Sequence, residues 1–170
     1  QPLLDACGSG GLRRIRAGAK SIVPVETKLA SGIARIMPSM KGRFAAGALR
    51  VPVYGVSAMD ITVATERDAT RDAVIAALDA AAGGYLGGIL GVCHEPLVSS
   101  DFGSDARSCV IDGPTVAVCG GRMVKLLAWF DNEWAYSVRM LDTALAMFGA
   151  RGRGPDAGSR NAMHVSGGCR

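Results

Sequence analysis

The chain has 170 residues, 49% of them hydrophobic and 20% charged, enough to bury one sizeable core and too few for two full domains. Its 19 Lys and Arg against 15 Asp and Glu give a net charge of +4, with Arg151, Arg153, Arg160 and Arg170 all in the last stretch, so the body is near neutral. That distribution argues against nucleic acid, which needs a concentrated basic stripe, and leaves phosphorylated small molecules as partners.

Residues 1–21 carry Gly8, Gly10 and Gly11 ahead of Arg13, Arg14 and Arg16, which predicts an ordered surface loop. A short apolar run at 21–24 follows. Then Leu29, Ile33, Ile36 and Met37 recur at helical spacing, with Thr27 where an N-cap belongs and Pro38 as the stop. Residues 48–53 alternate, Leu49, Val51 and Val53 on one face and Arg50 on the other, which predicts a strand. A second strand over 56–65 has Met59, Ile61 and Val63 sharing a face. Thr70 caps a helix striped by Val74, Leu78 and Ala81 and ended by Gly83 and Gly84.

From 88 to 130, short apolar runs separated by turns at Asp112-Gly113-Pro114 and Gly120-Gly121 predict several antiparallel strands, the last over 123–130. Asp131 caps a final helix whose stripe is Trp134, Val138, Leu141, Leu145 and Phe148, with Gly149 as its stop. Residues 151–170 lack periodicity and are rich in Gly, Ser and Arg, which predicts a flexible tail. The expected fold is α+β, a mostly antiparallel sheet with a few flanking helices, in one domain over 1–150 that begins inside a loop.

The five cysteines (Cys7, Cys93, Cys109, Cys119 and Cys169) are unpaired in pattern, and with two histidines they support neither a disulfide framework nor a metal site. Buried reduced thiols in a cytoplasmic protein are the expectation. No apolar run approaches the roughly 20 residues of a membrane span, and the first twelve residues do not read as a signal peptide, so no membrane partner is expected.

The glycine clusters at 8–11 and 83–88 lack the strand-to-helix setting of a dinucleotide fingerprint and are loops. Thr27 at a helix start, with Arg50 as a bidentate-capable cation, suits an anion; the same pair also reads as a plain cap and a salt-bridged surface arginine. Arg13, Arg14 and Arg16 divide in the same way between an anion site and a solvated loop. His94 and His164 are isolated and receive no catalytic role.

The stretch Trp129-Phe130-Asp131-Asn132-Glu133-Trp134-Ala135-Tyr136-Ser137 closely resembles the W-Y-D-N-E-W-G-Y-S signature of the glyceraldehyde-3-phosphate dehydrogenase family. Three further segments follow the family's order. Leu12-Arg13-Arg14-Ile15-Arg16-Ala17 is similar to LRRxRA, Leu49-Arg50-Val51-Pro52-Val53 to LRVPV, and Pro96-Leu97-Val98-Ser99-Ser100-Asp101 to PLVSSD. The resemblance covers residues 1 to about 150. Two segments resemble the erythrose-4-phosphate dehydrogenase branch: the run from Pro24 to Ile33, similar to PVDTKLAAGI, and the run from Arg139 to Met147, similar to RMLDTTLAM.

The resemblance implies the family's C-terminal catalytic domain, without its Rossmann domain, from an NAD-dependent enzyme acting on a phosphorylated small-molecule aldehyde. It makes Thr27, Arg50 and Arg14 substrate phosphate-binding positions, Asn132 a partner of the nicotinamide carboxamide and Tyr136 a wall of the same pocket. Lys28 stands where the family usually has glycine, and Ala135 replaces a glycine of the signature. The implied mechanism uses a histidine-activated cysteine that forms a thioester after hydride transfer. Its S-C-T-T-N and T-x-H-x-Y segments are not in this sequence, so no catalytic residue is assigned and the chain alone is expected to be inactive. The full-length protein is expected to be a homotetramer. The remaining readings are glyceraldehyde-3-phosphate dehydrogenase itself and a non-catalytic truncated homologue acting as an interaction module.

Overall fold

A computed structural model describes residues 2–7 and 11–152. Gly8 and Gly10 of the expected first loop, and residues 153–170 of the expected tail with His164 and Cys169, lie outside the described residues. The architecture is α+β, in two compact units, Gln1–Tyr54 and Gly55–Arg170.

In the first unit, β1 (Val23–Val25) and β2 (Ala48–Arg50) form an antiparallel ribbon whose register sets Val23 opposite Arg50 and Val25 opposite Ala48. β2 is shorter than the alternation over 48–53 predicts. Pro52 has no N–H to give a ladder, and the Val53 amide turns back to the Val51 carbonyl at 2.8 Å. Val23 and Ala17 are buried. Pro2, Asp5 and Ala6 fold back onto 15–18: the Ala6 amide donates to the Ile15 carbonyl at 2.9 Å and the Gly18 amide to the Pro2 carbonyl at 2.8 Å.

Helix α1 (Leu29–Ile36) forms where the periodicity predicts, but its N-cap position is Lys28, one residue after Thr27. Lys28 gives no side-chain cap. The Thr27 hydroxyl instead accepts from the Leu29 amide at 3.1 Å, satisfying one of the first-turn donors. The expected core-facing stripe is also corrected, because no residue of α1 is buried and Ile36 is 82% exposed.

In the second unit, β3 (Ser57–Ala64), β7 (Met123–Phe130), β5 (Cys109–Asp112) and β4 (Leu90–Cys93) lie side by side in that order, and β6 (Ala117–Cys119) also pairs with β7. All neighbours are antiparallel except β4 and β5. That parallel pair departs from the antiparallel expectation for 88–130. The connection over 94–108 is long enough for a crossover, and it carries a 3₁₀ turn, Ser99–Phe102, whose Phe102 is buried.

Helix α2 (Arg71–Gly83) starts as predicted, with the Thr70 hydroxyl accepting from the Ala73 amide at 3.2 Å. It lays Val74, Ile75 and Leu78 against Ile111, Val116 and Ala128. Because successive strand residues face opposite ways, Val110 serves the other face, with Val56, Cys93, Phe102 and Trp129. There the Trp129 ring stacks on Phe102 at 5.7 Å, and its indole N–H donates to the buried Asp112 carboxylate at 3.1 Å. Helix α3 (Asn132–Gly152) runs past Gly149, the expected stop, since an internal glycine costs only about 1 kcal/mol.

Candidate functional site

The basic segment is held by Asp5. Its carboxylate accepts from the Ala17 amide at 2.7 Å and from Arg16 Nε at 3.1 Å. Those contacts, the backbone amide first, hold the Asp5 carboxyl below its ordinary value. Arg16 is thereby engaged with Asp5. Arg14 sits in a turn, its amide donating to the Gly11 carbonyl at 2.8 Å, and its side chain has no protein hydrogen bond or ion pair among the described residues.

Arg14 and Arg50 meet in one open cleft of about 710 Å³ within the first unit, which Arg13, Pro24, Val25 and Glu26 also line. Arg50 likewise has no side-chain partner among the described residues, which removes the salt-bridged surface reading. Thr27 follows Glu26 directly but is not among the lining residues. In the ribbon Arg50 pairs with Val23, four residues before Thr27. The hydroxyl of Thr27 is already bonded to the helix start, and Lys28 beside it is exposed.

Three guanidinium groups against one carboxylate make the cleft electropositive, and a guanidinium presents paired N–H donors that match phosphate oxygens. Sequence reasoning leaves Arg13 open between an anion site and a solvated loop and misses Glu26. Glu26 stands directly before Thr27 in the chain, and its charge is the available signal.

In the second unit the start of α3 is fixed by Asp131. One carboxylate oxygen accepts from the Trp134 amide at 3.0 Å, and the other from the Ser104 amide at 2.9 Å. These backbone donors hold its carboxyl below the ordinary value. Ser104 has φ 61, a left-handed conformation uncommon for a non-glycine residue, and the Asp131 contact ties it down. Asn132 and Tyr136 therefore project from a clamped helix start, one turn apart and both exposed.

A model of the glyceraldehyde 3-phosphate dehydrogenase C-terminal domain matches residues 1–132. The chain belongs to the glyceraldehyde 3-phosphate dehydrogenase family. Members of that family are generally NAD-dependent oxidoreductases, and the matched C-terminal domain is not the part that binds the dinucleotide. The match ends at Asn132, so Tyr136 lies beyond it.

Among the described residues no cluster of His, Cys, Asp or Glu suits a metal ion, and no helix is long and apolar enough to cross a membrane. His94 is not isolated as expected, because its Nε2 lies 3.1 Å from an Asp79 carboxylate oxygen. The thiols divide: Cys93 is buried and its Sγ donates to the Glu95 carbonyl, whereas Cys7 and Cys119 are exposed, contrary to the expectation of buried thiols. Burial pushes the Cys109 thiol up, the opposite of what a nucleophile requires.

Proposed function

We propose that this chain is the sugar-phosphate-binding half of an NAD-dependent aldehyde dehydrogenase that oxidises erythrose 4-phosphate to 4-phosphoerythronate. The observation that carries the reading is the meeting of Arg14 and Arg50, far apart in sequence, in one cleft, with no protein partner for either guanidinium among the described residues. Two planar cations on a loop and a strand can grip the phosphate of a substrate and hold its aldehyde end at a fixed distance. The start of α1, with Thr27 and Lys28, follows the lining residue Glu26 in the chain, and a helix N-terminus favours an anion nearby. The volume of the cleft lies in the range of small-molecule sites.

Asn132 is the residue suited to the cofactor. A carboxamide both donates and accepts, as the nicotinamide amide does, and the side chain of Asn132 has no protein partner among the described residues. Tyr136 on the same helix face supplies a ring edge to the same group. When bound, NAD supplies the hydride acceptor; the contribution of these side chains is orientation of the ring. None of Cys7, Cys93, Cys109 or Cys119 is assigned the thiolate role.

The erythrose-4-phosphate branch is favoured by the residues that build α1 and the middle of α3, the Pro24 to Ile33 and Arg139 to Met147 segments. Steady-state kinetics of the full-length enzyme with both aldehyde phosphates test the choice. We expect kcat/KM for erythrose 4-phosphate to exceed that for glyceraldehyde 3-phosphate by at least about tenfold, a difference of roughly 1.4 kcal/mol in transition-state binding. The reverse preference would make the enzyme a glyceraldehyde-3-phosphate dehydrogenase.

A further inference from the structure

Among the described residues, Glu26 is the one carboxylate lining a cleft that otherwise presents the cations Arg13, Arg14 and Arg50. In a site built only for phosphate it is out of place, since a carboxylate repels the anion. It is also not neutralised by its neighbours, for it forms no hydrogen bond or ion pair among the described residues, although guanidinium groups line the same cleft. An ionised carboxylate is acceptor-only, with two oxygens that can take hydrogen bonds from adjacent hydroxyl groups. Its position at the end of β1 is fixed, because Val25, which pairs with Ala48, comes immediately before it.

We propose that Glu26 is the specificity-determining residue of the cleft: it accepts hydrogen bonds from hydroxyl groups of a phosphorylated polyhydroxy aldehyde and disfavours anions that lack them. This rests on the reading of the cleft as the phosphate site and names the class of ligand it selects. Free inorganic phosphate meets the same arginines but meets Glu26 without a hydroxyl-bearing carbon chain to satisfy it. The discrimination is therefore a difference between an attraction both ligands share and a carboxylate contact that only one of them makes well.

Binding of inorganic phosphate and of erythrose 4-phosphate to the 170-residue chain, followed by phosphorus NMR, tests this in the unaltered protein, Glu26→Gln and Arg50→Ala. Glu26→Gln keeps the size of the side chain while removing the charge. It should tighten inorganic phosphate roughly threefold to fivefold, through loss of a nearby like charge in a solvent-exposed cleft. It should also cut the preference for the sugar phosphate over inorganic phosphate by about tenfold, as two acceptor oxygens become one. An unchanged preference in Glu26→Gln, with binding still lost in Arg50→Ala, overturns the role of Glu26 and leaves the phosphate site standing. Binding that is absent, or indifferent to Arg50→Ala, overturns both. A circular-dichroism melt of each variant matching the unaltered chain confirms that the comparison is between folded proteins.

Discussion

Truncating Arg50 to alanine removes from the cleft a guanidinium group that has no partner among the described residues, while leaving Arg14 in place. A charge-assisted hydrogen bond contributes about 1.5–3 kcal/mol, which spans roughly 10- to 150-fold in binding. The cleft is open and Arg50 is exposed, so solvent screening selects the lower end, roughly 10- to 30-fold. Stability should hardly move. The side chain is exposed and forms no hydrogen bond or ion pair among the described residues, and surface changes of this kind stay within about 0.5 kcal/mol, or roughly 1–2 °C in melting temperature. The assay compares kcat/KM of the full-length enzyme for a phosphorylated aldehyde and for its unphosphorylated analogue. The phosphorylated substrate should lose roughly 10- to 30-fold and the analogue less than about threefold. Equal losses on both substrates, or a melting temperature that falls by many degrees, would refute the assignment and make Arg50 a structural residue.

Asn132→Ala in the complete enzyme should lower kcat by at least about tenfold with an almost unchanged melting temperature, since the side chain is exposed and acts by orienting the nicotinamide; normal kcat with a lower melting temperature would assign it to the helix start alone. Asp112→Ala removes a buried carboxylate that accepts from the half-buried Trp129 indole and should cost about 2 kcal/mol, or roughly 4–8 °C, with Asp112→Asn recovering part of it. A melt indistinguishable from the parent would show that the indole bond contributes nothing. For Asp131 the folded carboxyl titrates below its unfolded value, so its contribution is present above about pH 4 and is lost as pH falls through the lower folded value. Asp131→Asn should therefore flatten the acid-induced loss of amide protection in the first turn of α3; an identical acid limb in the variant would contradict this.

The elements that the sequence made legible are those whose signals are local. The Thr70 and Asp131 caps bond to amides three residues on, and β7 spans the predicted residues because its ends are marked by Gly121 and Asp131. What was not legible depends on distant partners. Nothing in residues 90–93 or 109–112 states that the two runs pair in parallel, because that choice is made by the connection over 94–108 and by the Phe102 contact it delivers. The stripe of α1 predicts an inward face that this chain leaves exposed, since periodicity reports that a face is apolar and not what covers it.

The candidate site divides in the same way. For Arg14 and Arg50 the residues alone leave an anion site and a surface arginine both open, and the family resemblance implies the phosphate role. Their shared cleft comes from two tertiary features, the fold-back of 2–7 onto 15–18 and the β1–β2 register. Thr27 was expected to cap α1 with the phosphate beside it, and the shift of the N-cap to Lys28 leaves its hydroxyl bonded to Leu29. A one-residue displacement of a helix start lies below what spacing can resolve.

The most direct measurement is a crystal structure of the full-length enzyme with erythrose 4-phosphate bound. The account predicts the phosphate in the cleft, with oxygens about 2.7–2.9 Å from guanidinium nitrogens of both Arg14 and Arg50. A bound substrate whose phosphate lies elsewhere, with Arg14 and Arg50 left in solvent, would contradict it.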